Sequence, residues 1–90
     1  MKVRYFATYR DITRRKDEDI PAPPDIWALL QTLGGRYDGF RAKLLTPDGT
    51  EIHGDTIILV NGRNISHLDG KATPLTEADT VSIFPVVAGG

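Results

Sequence analysis

The residues best suited to chemistry close the sequence, where Phe84-Pro85-Val86-Val87-Ala88-Gly89-Gly90 runs a strand-like segment through a proline into two glycines. A glycine pair is a poor end for a packed strand, because glycine buries no side chain and loses the most conformational freedom when ordered. Residues 85–90 are therefore expected to form a mobile tail that a partner threads backbone-first. The reactive group of such a tail is the Gly90 carboxylate. Ionised at neutral pH, it is a poor electrophile and a weak nucleophile, so it becomes useful only when another enzyme activates it, most simply as an acyl-adenylate made with ATP. An activated acyl carbon accepts sulfur to become a thiocarboxylate, or an amine to become a conjugate. The missing side chains at Gly89 and Gly90 let the backbone approach nucleotide and acceptor closely.

Other reactive groups do not assemble into a site. His53 and His67 are isolated in turn regions, without a second histidine at metal-ligand spacing, and read as surface residues. Ser66 and Ser82 lack the Gly-x-Ser-x-Gly context of a nucleophile elbow. Gly34-Gly35 follows an apolar helical stripe instead of preceding one, so it is no phosphate loop. The chain has no cysteine, which excludes disulfides, thiolate nucleophiles and iron–sulfur ligation. No bound cofactor or metal is expected, ATP being used by the activating partner, and the chain is not expected to be catalytic alone. Eleven Lys and Arg against twelve Asp and Glu are scattered along the sequence, which argues against a nucleic-acid partner. No apolar run approaches a membrane span and no signal core opens the chain, so no membrane partner and a cytoplasmic location are expected.

Ninety residues make one domain, 1–90, with a single core. Val3, Tyr5 and Ala7 alternate with Lys2, Arg4, Phe6 and Thr8, which predicts a half-buried first strand over 2–8. Residues 15–20 predict a second strand whose Asp17-Glu18-Asp19 faces solvent. Ile26, Leu29, Leu30 and Leu33 stand at i, i+3, i+4 and i+7 behind Asp25, a good N-cap, and predict the one main helix, stopped by Gly34-Gly35. Trp27 and Tyr37 belong at the margin of the core. Pro47-Asp48-Gly49 predicts a turn, Asn61-Gly62 a hairpin joining strands at 56–60 and 63–66, and 80–84 a last strand. The order β-β-α-β-β-β with one helix predicts an α+β roll in which a mixed sheet is covered on one face and the first and last strands lie side by side.

The pleat then carries a second functional expectation. With Val3, Tyr5, Val81 and Ile83 inward, Phe6 and Phe84 point to the open face. Two exposed aromatics on adjacent strands beside the tail make a partner-binding patch with Pro85, Val86, Val87 and Ala88, unless Arg4 and nearby loops cover them.

Taken together, Val3-Arg4-Tyr5-Phe6-Ala7 with Arg10-Asp11, the helix over 25–33, Val60-Asn61-Gly62-Arg63, Thr73-Pro74-Leu75, and Ile83-Phe84-Pro85 leading to Val87-Ala88-Gly89-Gly90 resemble the MoaD-like small subunit of molybdopterin synthase. The resemblance spans essentially the whole chain. It implies a ubiquitin-like β-grasp fold and a sulfur carrier. It also implies adenylation of Gly90 by an E1-like enzyme, conversion to a thiocarboxylate with a sulfur donor protein, and sulfur transfer to a pterin precursor beside the large synthase subunit. Two positions depart from the family's usual pattern: Ala78 stands where glycine is common and Val86 where a second proline is common. Three readings follow. The first is the molybdopterin carrier. The second uses the same chemistry for a protein modifier, or for sulfur delivery to thiamin, cysteine or transferred RNA. The third is a non-reactive interaction module that uses the Phe6 and Phe84 face alone.

Overall fold

The computed structural model describes residues 1–86. Val87, Ala88, Gly89 and Gly90, and with them most of the expected 85–90 tail, lie outside the described residues. Five strands form one mixed sheet: β1 (Lys2–Tyr5), β2 (Asp17–Asp19), β3 (Thr56–Val60), β4 (Arg63–Asn64) and β5 (Thr80–Pro85). They lie in the order β2-β1-β5-β3-β4, with β1 and β5 parallel and the other neighbours antiparallel. The last strand is thus central, and the first lies beside it as expected. The Asn61-Gly62 hairpin is present, both residues taking positive φ (52° and 83°), the pairing that matches the twist of the flanking strands.

The covered face is built by α2 (Ile26–Arg36), α3 (Phe40–Leu44) and α1 (Thr8–Thr13). Ile26, Leu29, Leu30 and Leu33 of α2 bury against Val3, Tyr5, Ile58, Val81 and Ile83 of the sheet. Asp25 caps α2, its carboxylate accepting from Ala28 N–H at 2.9 Å. The α+β roll with one main helix is therefore the observed architecture, and no helix among the described residues is long and apolar enough to cross a membrane.

Four local expectations are corrected. β1 stops at Tyr5, not Thr8: Ala7 turns the chain at φ 51°, ψ −123° into α1 and is exposed instead of inward. Gly34-Gly35 does not end α2, which continues to Arg36. Arg41 of α3 lies so close to Gly34 that an added Cβ would meet its side chain at 3.0 Å, so this glycine serves helix packing. Tyr37 ends the helix in an extended conformation, its N–H on Leu33 O at 3.0 Å. Asp17-Glu18-Asp19 is not uniformly solvated, because the Glu18 side chain is only 7% exposed. Finally, β5 runs through Pro85, which pairs with Thr56, so Pro85 belongs to the sheet, and Val86 N–H donates to Asp55 O at 2.6 Å just past the strand end.

Candidate functional site

The open face of the sheet carries the candidate site. Phe6 and Phe84 meet edge to face, ring centroids 5.8 Å apart and planes at 82°. They come together because Phe6 N–H continues the parallel ladder onto Ile83 O at 3.2 Å, which sets the two rings on neighbouring strands with the same outward pleat. With Ala7 and Pro85 they line a shallow hollow of about 330 Å³ whose walls are almost wholly apolar. The structure thus brings Phe6, Phe84 and Pro85 together as expected. Val86 follows, half exposed at 49%. Val87 and Ala88, the other expected docking residues, and the reactive pair Gly89 and Gly90 lie outside the described residues.

Arginines partly cover this patch, and Phe6 and Phe84 are half-buried. The guanidinium of Arg4 lies 5.5 Å from the Phe6 centroid and that of Arg10 lies 5.9 Å away, both within cation–π range. Two further members were missed. Ile57 stands opposite Phe84 in register, and Leu59 opposite Ser82, both half-buried on the same face. The signal for them was the alternation of β3, where Ile58 and Val60 go inward and Ile57 and Leu59 must therefore go outward.

The strand end is held by two supports. At the β3 side, His53 Nδ1 accepts from Asp55 N–H at 3.1 Å, and Asp55 O takes the Val86 N–H. His53 is therefore a turn-forming residue near a carboxylate, its Nδ1 3.6 Å from Asp55 Oδ2. His67 lies in a short 3-10 turn, and among the described residues no cluster of His, Asp or Glu could hold a metal ion. On the covered side, Glu18 of edge strand β2 accepts from Tyr5 Oη at 2.5 Å and Tyr37 Oη at 2.8 Å, and pairs with Arg36 at 3.2 Å. Burial alone would raise the Glu18 carboxyl, but the two tyrosine hydrogen bonds and the Arg36 and Arg15 charges outweigh it and hold the pKa below the usual carboxylate range. Burial, together with the hydrogen bond to that carboxylate, pushes the Tyr5 and Tyr37 hydroxyls up. This network fixes Tyr5, and through it the strand that presents Phe6.

The arrangement has an apolar hollow beside two guanidinium groups and no reacting constellation of side chains among the described residues. It suits a protein whose chemistry is done on it by a partner. Ala78 takes no positive φ, so alanine meets no strain where the family usually has glycine. Beside it, Asp79 accepts from Asn61 Nδ2 and Thr76 N–H, both at 2.8 Å.

A family model, that of the ThiS family, matches residues 3–90. The chain is 46% identical over 90 residues to a putative sulfur carrier protein of Archaeoglobus fulgidus, covering 100% of this chain and 98% of that protein. It is 38% identical over 96 residues to small archaeal modifier protein 3 of Haloferax volcanii, with 100% and 98% covered. It is 29% identical over 89 residues to a molybdopterin synthase sulfur carrier subunit of Emericella nidulans, with 99% and 96% covered. Among solved structures, small archaeal modifier protein 1 of Methanosarcina acetivorans superposes with a TM-score of 0.85 at 29% identity, covering 99% of this chain and 94% of that one. A central last strand, a β-grasp sheet and a match along nearly the whole length agree: the chain belongs to the ThiS family of ubiquitin-like sulfur carriers.

Proposed function

We propose that this carrier works in the cytoplasm and delivers sulfur for molybdopterin synthesis, through a thiocarboxylate at Gly90. An E1-like enzyme joins a Gly90 carboxylate oxygen to the α-phosphorus of ATP, and pyrophosphate leaves. A sulfur donor protein then supplies sulfur at the sulfide level, as HS⁻, which attacks the acyl carbon and expels AMP, so that the thiocarboxylate forms with no change of oxidation state. The thiocarboxylate sulfur displaces an oxygen substituent from a pterin precursor held by the large synthase subunit, and water cleaves the acyl–sulfur bond, which leaves the sulfur on the pterin and returns the Gly90 carboxylate for another cycle.

The observation that carries this reading is continuity: Pro85 lines the Phe6–Phe84 hollow, and the same short segment leads to Ala88-Gly89-Gly90. A partner that grips the hollow holds a fixed point from which the segment reaches its own active centre. That is the requirement of a carrier with no reactive side chains of its own. The pterin assignment is supported by Tyr5-Phe6-Ala7 and Phe84-Pro85 and by the named role of the Emericella nidulans relative. A second reading, conjugation of Gly90 to protein lysines, is favoured by the 38% identical modifier protein. Intact-mass measurement of the protein from its native host separates them. One oxygen replaced by sulfur, lost on incubation with the pterin precursor and large subunit, is the expected result. Gly90 joined to lysine, with no thiocarboxylate, would replace the carrier reading by the modifier one.

A further inference from the structure

Basic residues that look scattered in the sequence converge in the fold. Arg4 and Arg10 stack about Phe6, and Arg10 continues into an exposed cleft of about 370 Å³ lined also by Asp11, Arg14, Arg15 and Lys16. Arg15 is paired with Glu18 at 3.9 Å. Among the described residues, Arg4, Arg10, Arg14 and Lys16 have no carboxylate within salt-bridge distance. Four such cations on one side of a chain of net charge −1 make a localised positive field.

The cleft is also held in shape. Arg14 closes α1 in the left-handed region, φ 59°, where glycine is the low-strain choice, and its N–H donates to Arg10 O at 2.7 Å. The buried Thr13 hydroxyl donates to Tyr9 O at 3.0 Å and accepts from Arg15 N–H at 3.3 Å. Lys16 O takes the Tyr5 N–H at 2.8 Å. A charged residue thus stands at a strained position inside a well-bonded turn, beside the docking hollow.

We propose that the Arg10–Arg14–Lys16 cleft binds an acidic segment of the protein partner that grips the Phe6–Phe84 face. Charge complementarity sets the sign of the partner segment, and the adjoining hollow, walled by Phe6, Ala7, Phe84 and Pro85, makes it protein: aromatic and arginine groups side by side are the composition of protein interface centres. Asp11 is the one carboxylate among the residues that line the cleft with Arg10, Arg14, Arg15 and Lys16, so the cleft keeps a positive balance. The inference rests on the docking half of the proposed function and not on its sulfur chemistry.

Titration of the 15N-labelled protein with a short peptide of alternating glutamate and leucine tests it without the partner, alongside a single-stranded RNA of equal charge. The peptide should shift the Arg10, Arg14 and Lys16 amides saturably, and added salt should weaken it. Arg14→Gly with Lys16→Ala should lower its affinity on the order of ten-fold at low salt while the thermal midpoint holds, since glycine accepts the left-handed turn. Arg63→Ala, on β4 at the opposite sheet edge, should change nothing. Absence of peptide shifts in the cleft, unchanged affinity in the double variant, or tighter binding of the RNA would each overturn the proposal. A missing thiocarboxylate in the host protein would overturn the sulfur reading alone.

Discussion

Tyr5 and Phe6 are adjacent in sequence and serve opposite faces of one sheet. Tyr5 is fully buried, edge to face with Phe40 at 6.0 Å and Tyr37 at 6.3 Å, its hydroxyl satisfied by Glu18. Phe6 is half-buried and touches only Phe84 among aromatics, under two guanidinium groups. Both rings bury apolar surface, yet one cluster is closed by hydrogen bonds and the other lines a shallow apolar hollow. The pleat makes the separation possible, because successive residues point to opposite faces; the proposed function assigns stability to the inner one and recognition to the outer.

The comparison breaks most clearly if the two clusters are truncated in turn. Phe40→Ala, which opens the inner cluster beside Tyr5 and Tyr9, should destabilise by about 3–5 kcal/mol in denaturant unfolding, enough to unfold much of a domain this small. Phe84→Ala should cost the fold far less, about 1 kcal/mol, while weakening partner binding by roughly 2 kcal/mol or more. If Phe84→Ala instead unfolds the chain and binding per folded molecule is normal, Phe84 belongs to the core.

Glu18→Gln probes the closure of the inner cluster at smaller cost, about 1–3 kcal/mol at neutral pH, since it leaves the hydroxyls of buried Tyr5 and half-buried Tyr37 with a weaker acceptor. Its pH signature has a definite sign. The folded pKa of Glu18 is depressed, so its stabilisation is complete above the unfolded value of about 4.3 and is lost as pH falls through the folded value. Acid unfolding should therefore flatten in Glu18→Gln relative to the wild type. An identical acid limb in both proteins would show that Glu18 does not carry the effect. The smallest effect is expected at Ala7→Gly, which should leave stability within about 1 kcal/mol or raise it, because glycine relieves the positive φ.

Much of this was legible in the sequence, and the reasons for the rest are physical. Alternation marked β1 and β5, β-branched residues marked β3, the Asn-Gly pair marked the hairpin, and the i, i+3, i+4 stripe marked α2. The short helices were not visible: α1 has only Tyr9, Ile12 and Thr13 as its inward face, and α3 spans five residues, too few to set a period. Gly34-Gly35 misled because propensity is a weak prior and close packing of α3 overrides it. Glu18 was hidden because its partners come from β1 and from the end of α2, and nothing in Asp17-Glu18-Asp19 tells the middle carboxylate from its neighbours. At the site, Phe6, Phe84 and Pro85 followed from the pleat. The stacking arginines did not, since Arg10 reaches Phe6 from the missed helix.

The central claim, that Gly90 is the reactive end, is tested most directly by adding one alanine after it and measuring ATP–pyrophosphate exchange with the activating enzyme. The extension keeps the Phe6–Phe84 face and a free carboxylate but moves that carboxylate by roughly 3.3–3.6 Å along an extended chain. Misplacement by about 1 Å can already cost on the order of 10²-fold in rate. The account predicts normal binding to the enzyme and loss of exchange; exchange at the wild-type rate by the extended protein would contradict it.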